Sequence, residues 1–357
     1  MKSRSAAKEI AVDAAIAVLV VLGVANVLVV VSGGHPLDIA WRILAGTWGT
    51  PYGIAQVLFK ATPLLLSGLA ALVGFRAGLF NVGAEGQITL GGLAAAVTGA
   101  LLPPDLTAWI ALPLCLLAAA AAGALWVSGP ALLRVKFGAS EVITTILLNF
   151  VAMAVANWVV SALMHVEDTT HTPPVVAGAR LLRLTEWVPA FKGSPVNAAL
   201  LVALVLIAVL AVLLGRTPFG RHVDTLGSAP KVAETVGIPV ARLTFLALLL
   251  SGAVAGLGGT SFVLGYKGYF ETGFVSGAGY LGIAIALLSG NRPWLLLPGA
   301  LLFATLSEGS LLINAIVPKE LVDVLVGVTI LAVVGFRARM TRHEAALLSG
   351  ARDEEAA

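Results

Sequence analysis

The 357-residue sequence has little charge and a single cysteine. Charged residues make up 11% of the chain and hydrophobic residues 59%, whereas a soluble globular domain carries about 25% charged residues. A soluble fold cannot bury so much apolar surface, so the composition excludes a soluble protein. The lone Cys115 excludes a disulfide framework and a cysteine-ligated metal cluster.

The sequence also lacks the motifs of common enzyme classes. It contains no G-x-x-x-x-G-K-[ST] phosphate loop, no H-E-x-x-H zinc motif and no G-x-S-x-G nucleophile elbow. Basic residues stand singly between apolar blocks, which argues against nucleic-acid binding. We therefore expect no catalytic residues, no cofactor and no metal site, and any energy from ATP must enter through a partner protein.

Apolar blocks of about twenty residues, the length that crosses a bilayer as a helix, fill most of the chain. The first follows Lys2, Arg4 and Lys8 and is too long for the core of a signal peptide. The fold class is therefore all-α: a polytopic membrane protein with about ten transmembrane helices in a domain over 1–340, followed by a cytoplasmic tail over 341–357. The predicted spans are 10–31, 56–75, 87–103, 108–133, 141–163, 196–214, 242–265, 276–290, 294–316 and 321–335.

Charge asymmetry predicts the orientation. If the N-terminus is cytoplasmic and each block crosses once, most of the 22 Lys and Arg residues lie inside, as the positive-inside rule requires. Both termini are then cytoplasmic, the hydrophilic stretch 164–195 is outside, and the stretch 215–241 is inside. In the latter, Pro230 suits the first turn of a helix and Gly237 a C-terminal stop. A short helix over Pro230–Val236 is predicted, a shape that another protein can grip.

Two glycine-rich segments, Gly78–Ala96 and Gly268–Ala286, resemble each other at an offset of 190 residues. The matched residues are Gly78, Phe80, Gly83, Gly92, Ala94 and Ala96 with Gly268, Phe270, Gly273, Gly282, Ala284 and Ala286. The predicted topology places the segments at opposite faces of the membrane, as in the inverted repeats of transporters. We expect broken or re-entrant helices there, because glycine permits sharp bends and close contacts. Tight packing of glycine-rich helices is the alternative explanation.

Polar side chains at membrane depth are costly and so mark candidate sites. Glu141, Thr145 and Asn149 recur every four residues, which places them on one helical face that should turn into the bundle. For each polar residue, a structural role such as capping a broken helix stands beside direct contact with a solute. The candidate solute-path residues are Asn81, Glu85, Gln87, Thr145, Asn149 and Glu271.

Five runs resemble the permeases of bacterial ATP-binding-cassette (ABC) importers in the branched-chain amino-acid, ribose and nucleoside group. They resemble in particular the longer permease of nucleoside importers with receptors of the basic membrane protein type. The resemblance covers about residues 55–335, with one departure: family members usually read G-x-N-x-x-A-A in the cytoplasmic loop, where this chain has Ser228 and then Lys231-Val232-Ala233. The runs are FRAGLFNVGAEGQITLGG (from Phe75), GASEVITTILLNFVA (from Gly138), LGSAPKVAETVGI (from Leu226), SGAVAGLGG (from Ser251) and GFVSGAGYLGIAIALLSGNRP (from Gly273).

The resemblance implies a mechanism in the bacterial cytoplasmic (inner) membrane. An extracytoplasmic solute-binding lipoprotein delivers the solute, two permeases, related rather than identical, enclose the path, and cytoplasmic ATPase subunits drive alternating access. The ATPase-coupling residues would be Gly227, Ser228, Pro230, Ala233, Glu234, Gly237 and Ile238.

The solute that the resemblance implies is a nucleoside. A permease for a simple sugar such as ribose is one alternative, and an ion-coupled secondary transporter is another. A membrane enzyme acting on lipid would need an interfacial cluster of His, Asp or Glu, which the sequence does not show. The sequence leaves open which solute is carried and whether the two permeases are identical.

Overall fold

The computed structural model describes the backbone of residues 2–355 and the side chains of 15–336 and of Arg339. The side chains of the N-terminal basic residues and of the predicted tail 341–357 lie outside this described part. Within it, regular structure is helical apart from two isolated β-bridges, so the all-α prediction is confirmed. The α-helices are α1 (Lys2–Val31), α2 (Pro36–Thr47), α3 (Pro51–Arg76), α4 (Ala84–Leu101), α5 (Ala108–Phe137), α6 (Glu141–Trp158), α7 (Ala199–Arg216), α8 (Pro218–Ser228), α9 (Pro230–Thr235), α10 (Val240–Gly256), α11 (Ala278–Ser289), α12 (Leu296–Ile313) and α13 (Lys319–Glu355).

Six helical segments among the described residues are long and apolar enough to cross a membrane. A seventh is counted if Ala15–Val31 and α2, which meet at 106°, form one broken span. The predicted number of about ten is not confirmed, because α4, α11 and α13, which correspond to three of the predicted spans, are not among these segments. Helix α4 has Glu85 and Gln87 in its first turn, α11 has only 12 residues, and α13 begins with Lys319 and Glu320. The six segments are Pro51–Arg76, Ala108–Phe137, Glu141–Leu163, Ala199–Arg216, Val240–Lys267 and Pro293–Ile313.

Two compact units make up the chain. The smaller consists of residues 1–50 and 305–357, and its described core includes the buried Ile39, Ile313 and Val317. Its helix α2 has no counterpart among the predicted spans, because twelve residues are too few to form a long apolar block. The larger unit, Pro51–Ala304, contains every predicted site residue.

Helix α3 forms the centre of the larger unit, buried almost without interruption from Leu64 to Gly74. It leads through a turn into α4, while α10 continues through 3-10 and π-helical turns to Lys267 before the chain turns into α11. Helix α11 packs on α3, and α4 packs on α10 and its continuation. The second helix of each pair, α4 or α11, therefore packs on the first helix of the other pair, α10 or α3. This reciprocal packing is expected of a two-fold repeat.

The matched glycines agree with such a repeat. Gly78 and Gly268 both adopt left-handed backbone, with φ of +70° and +80°. Gly92 lies against the continuation of α10, and Gly282 lies against α3. Helix α11, however, begins four residues after the position that the offset assigns to the start of α4, because the second loop is longer. The symmetry axis itself stays a prediction.

Helices α5 and α10 touch backbone to backbone. A Cβ added at Gly123 of α5 would lie 2.1 Å from the carbonyl oxygen of Gly252, and one added at Gly256 would lie 2.3 Å from that of Ala119. Gly252 and Gly256 are four residues apart and share one face of α10. Small residues with this spacing let helices approach closely in a bilayer, where dispersion replaces the hydrophobic effect as the source of association.

We expect Gly123→Ala to force α5 away from α10 and to lower the free energy of unfolding by about 1–3 kcal/mol, the usual cost of overpacking. The matched control is Gly129→Ala on the same helix, where an added Cβ meets nothing within 4 Å. Because alanine favours helix over glycine, the control should be neutral or slightly stabilising. Thermal unfolding in detergent measures both, and equal midpoints would contradict the close contact.

Candidate functional site

The helical chain is interrupted between α3 and α4 by the loop 77–83. Helix α3 has 26 residues, so it is about 39 Å long and its residue Ser67 lies about 13 Å before the Arg76 end. The Ser67 hydroxyl donates to the carbonyl oxygen of Ala278 at 2.8 Å. The first turn of α11 therefore lies within the hydrocarbon core, which is about 30 Å thick.

The N-termini of α4 and α11 meet at Glu85. This residue lies in the first turn of α4, and its carboxylate accepts hydrogen bonds from the N–H groups of Gly277 (2.7 Å) and Gly279 (2.8 Å) at the start of α11. A helix N-terminus has unsatisfied N–H groups and partial positive charge, so two facing N-termini repel each other. The Glu85 carboxylate stabilises both. Its partner must be glycine, because a Cβ at Gly279 would lie 2.3 Å from the Glu85 nitrogen.

Asn81 and Gln87 stabilise the loop between α3 and α4 through hydrogen bonds to each other and to α10. Asn81 Nδ2 donates to Gln87 Oε1 (2.8 Å) and to Ser251 Oγ (2.9 Å), and Gln87 Nε2 donates back to Asn81 Oδ1 (2.9 Å). The Ser251 hydroxyl then donates to the carbonyl oxygen of Ala70 at 2.7 Å. Both amide side chains are at most 2% exposed, so this network fixes the loop against α3 and α10 and leaves no amide surface open to a solute.

One face of α6 holds the backbone of the same loop. Glu141, Thr145 and Asn149 each accept a hydrogen bond from a backbone N–H in the segment 80–86, at 3.3, 3.2 and 2.9 Å. All three are buried, which confirms that this face turns into the bundle. Arg134 lies 3.4 Å from the Glu141 carboxylate and offsets its charge.

Glu271, the sixth predicted path residue, lies apart from this group. It forms a β-bridge with His171 of the stretch 164–195, and its carboxylate is 3.3 Å from Lys267 Nζ. The structure therefore brings together five of the six candidates around the interruption and places Glu271 among the loops that follow α6 and α10.

The stretch 215–241 contains two helices where the sequence predicted one. Helix α9 ends at Thr235, one residue before the predicted end. Helix α8 was not predicted, although it begins with Thr217 as N-cap, accepting from Gly220 N–H at 3.4 Å, and with Pro218 at its first position.

Helix α8 is attached to the end of α3. Arg76 and Asp224 form a two-pronged ion pair, with Nε and Oδ1 2.7 Å apart. Beside the pair, a Cβ on Gly227 would lie 2.2 Å from the Arg76 carbonyl oxygen. Since Gly78 begins the loop that leads to Glu85, α8 contacts the same turn from which the interruption starts.

The predicted coupling residues differ in exposure. Ala233 is fully buried within this chain, so its side chain positions α9 and does not offer a surface to a partner. Gly227 packs on the α3 turn, and Ile238 packs on a core shared by α5, α8 and α10. Exposed members are Ser228, Pro230, Glu234 and Gly237, together with Val232 and Val236, which were not predicted.

Several residues of the site escaped sequence reasoning. Ser67, Ser251 and Tyr280 each stand between apolar or glycine neighbours in the sequence, and no spacing links them to the interruption. Asp224 had a weak signal as an acidic residue in a basic loop, but only the fold reveals Arg76 as its partner.

Residues 53–334 match a family described as the permease component of branched-chain amino acid transport systems. The chain belongs to this permease family. Its members are multi-pass membrane transport proteins, and as ABC permeases they work with an ATPase and a solute-binding protein.

Three relatives match most of the permease. The glucose ABC transporter permease protein TsgB13 of Haloferax volcanii is 35% identical, covering 88% of this chain and 84% of its own. The guanosine ABC transporter permease protein NupP of Bacillus subtilis is 32% identical (88% and 91%), and the nucleoside ABC transporter permease protein NupB of Lactococcus lactis subsp. cremoris is 31% identical (77% and 77%). No solved structure matches significantly. The resemblance to ABC importer permeases is confirmed.

We expect Thr145→Val to destabilise the permease by about 1–3 kcal/mol, because the isosteric change leaves the N–H of Val82 without its acceptor. The control is Thr144→Val on the same helix, whose hydroxyl bonds only carbonyl oxygens of α6 and its N-cap. Thermal unfolding midpoints in detergent compare the two. If Thr144→Val lowers the unfolding midpoint as much, the hydrogen bond between α6 and the loop is not the cause of the destabilisation.

Proposed function

We propose that this permease forms half of the membrane part of an importer that brings a nucleoside into the cytoplasm. The protein lies in a bacterial inner membrane, and both termini and the stretch 215–241 face the cytoplasm. A solute-binding lipoprotein delivers the solute from outside, and the second permease is related rather than identical, as the resemblance implies. Relatives named for guanosine and nucleoside transport support the solute class.

The attachment of α8 to α3 is the observation that carries the proposal. A permease without a phosphate-binding loop must receive the free energy of ATP hydrolysis as a displacement of its cytoplasmic surface. The exposed side of α9, which includes Glu234, and the end of α8 at Ser228 form the surface proposed to contact the ATPase. Through the Arg76–Asp224 pair and the Gly227 contact, a displacement of α8 reaches the α3 turn without passing through a loose loop.

From the turn the displacement continues to the middle of the membrane. The loop after Gly78 is held by Asn81, Gln87, Thr145 and Asn149, so it moves as one body with the start of α4. Glu85 then passes the movement to α11. We propose that these residues shape the solute path by holding its wall and that alternating access is a rearrangement of α4 against α11. Glu271 contributes at the loops that follow α6 and α10.

A sugar is the second candidate solute, since TsgB13 is named for glucose and is similar to this chain over 88% of its length. Both solutes share a hydroxylated sugar ring. Uptake of labelled guanosine and of labelled glucose by the complete transporter decides between them. A dependence on an ion gradient without ATP would instead favour a secondary transporter.

We expect Asp224→Ala to uncouple the permease. Uptake should fall at least about fivefold, the lower end of usual coupling effects, while ATP hydrolysis by the bound ATPase continues. The charge-exchanged double variant Arg76→Asp with Asp224→Arg should recover part of the uptake. His222→Ala on the exposed side of α8 is the control. Unchanged uptake in Asp224→Ala would show that this contact does not transmit the movement.

Cysteine labelling in intact cells tests the orientation. Cys115 is fully buried and gives little background. A membrane-impermeant thiol reagent applied outside should modify Glu167→Cys in the stretch 164–195 and should miss Ser228→Cys, both exposed in the structure. Strong external labelling of Ser228→Cys would reverse the proposed topology.

A further inference from the structure

A tyrosine is exposed in the first turn of α11. Of the twelve residues of α11, all within the described part of the chain, Tyr280 alone is exposed, at 44%. It lies two residues after Ala278, which is level with Ser67 of α3 and so within the hydrocarbon core. The other residues of the helix are covered or partly covered.

The phenol oxygen of Tyr280 accepts a hydrogen bond from α6. Asn149 Nδ2 donates to its oxygen at 3.2 Å, while Asn149 Oδ1 accepts from Gly86 N–H. The O–H of Tyr280 has no acceptor among the described residues, so it is available for another molecule. In contact with lipid, this donor would lack a partner and would cost free energy.

The surroundings of Tyr280 are polar, unlike the other exposed surfaces nearby. Ser276, in the loop that leads into α11, is exposed, and the half-buried Glu85 carboxylate binds the N–H groups of Gly277 and Gly279 on either side of Ala278. The exposed residues in the middle of α6, such as Leu147 (58%) and Phe150 (66%), are apolar, as lipid requires, and the exposed Asn157 lies in its last turn. Polar groups at membrane depth mark a water-filled path or a protein contact.

We propose that Tyr280 contacts the solute within the permease, its ring packing on the sugar ring and its O–H donating to a solute hydroxyl. This inference rests on the proposed function and assigns a residue of this chain to solute selection. The occupant is a polar molecule with a hydroxylated sugar ring, the chemistry shared by the guanosine and glucose after which relatives are named. An apolar ring face with a few fixed polar groups is the usual composition of such a site.

Accessibility tests the location first. Tyr280→Cys and the control Phe150→Cys are placed in the complete transporter, and a charged thiol reagent is applied with and without a non-hydrolysable ATP analogue. We expect Tyr280→Cys to react in at least one nucleotide state, and guanosine to slow the reaction at least threefold, or glucose if glucose is the solute carried. Phe150→Cys should show no protection. No reaction of Tyr280→Cys in either state would overturn the proposal.

The contact itself is tested with Tyr280→Phe, which keeps the ring and removes the O–H. Maximal guanosine uptake should fall about 2- to 10-fold, the usual effect of one hydrogen bond. One of the 2′-, 3′- or 5′-deoxyguanosines should be carried equally by wild type and variant, since it lacks the hydroxyl that Tyr280 binds. If glucose is the solute carried, the deoxyglucoses replace these analogues. Equal losses for the solute and all its deoxy analogues, or no loss, would overturn the contact.

Wild-type controls distinguish a failure of the proposed solute class from a failure of the assignment of Tyr280. If the wild-type complex carries neither guanosine nor glucose, the proposed solute class fails, irrespective of Tyr280. If it carries one of them while Tyr280→Cys stays unreactive, the proposed function stands and the assignment of Tyr280 fails.

Discussion

A polypeptide that interrupts a helix inside a bilayer must find hydrogen-bond partners for the freed backbone groups within the protein, because lipid offers none. The loop between α3 and α4 meets this constraint with side chains from two neighbouring helices. Asn149 and Thr145 reach it from α6, and Ser251 supports Asn81 from α10. Glu85, in the first turn of α4, does the same for the N–H groups at the start of α11. The packing of the larger unit follows from bringing these elements together around one point.

The same constraint explains why glycine is placed where helices cross. Thr145, Asn149 and Ser251 have short side chains, so α6 and α10, which carry them, must lie close to the loop. Contacts such as Gly123 on Gly252 and Gly279 on Glu85 allow this, since any larger residue would collide with backbone atoms. Close backbone contact also makes the unit stiff, which suits a protein that passes on a displacement generated by another subunit.

The contacts of α8 join the surface proposed to be cytoplasmic to the first turn of α11 through few steps. Asp224 binds Arg76 at the end of α3, and the chain turns at Gly78. Glu85 then makes the last contact of this series, with the start of α11. Membership in an ABC permease family accounts for the absence of a phosphate-binding loop from the sequence, because hydrolysis takes place on a partner. The permease contributes shape and stiffness, and the proposed role of Tyr280 adds solute contact.

The sequence by itself determined the all-α membrane class, the family and most helix positions, because long apolar blocks and family motifs are local features. The inward face of Glu141, Thr145 and Asn149 also followed from helical periodicity alone. The contact partners of the site residues did not follow from the sequence. Glu85 meets Gly277 across 192 residues and Arg76 meets Asp224 across 148, and the burial of Ala233 and the exposure of Tyr280 depend on which helices pack together. Such contacts arise when distant segments fold onto each other, so only the tertiary structure decided them.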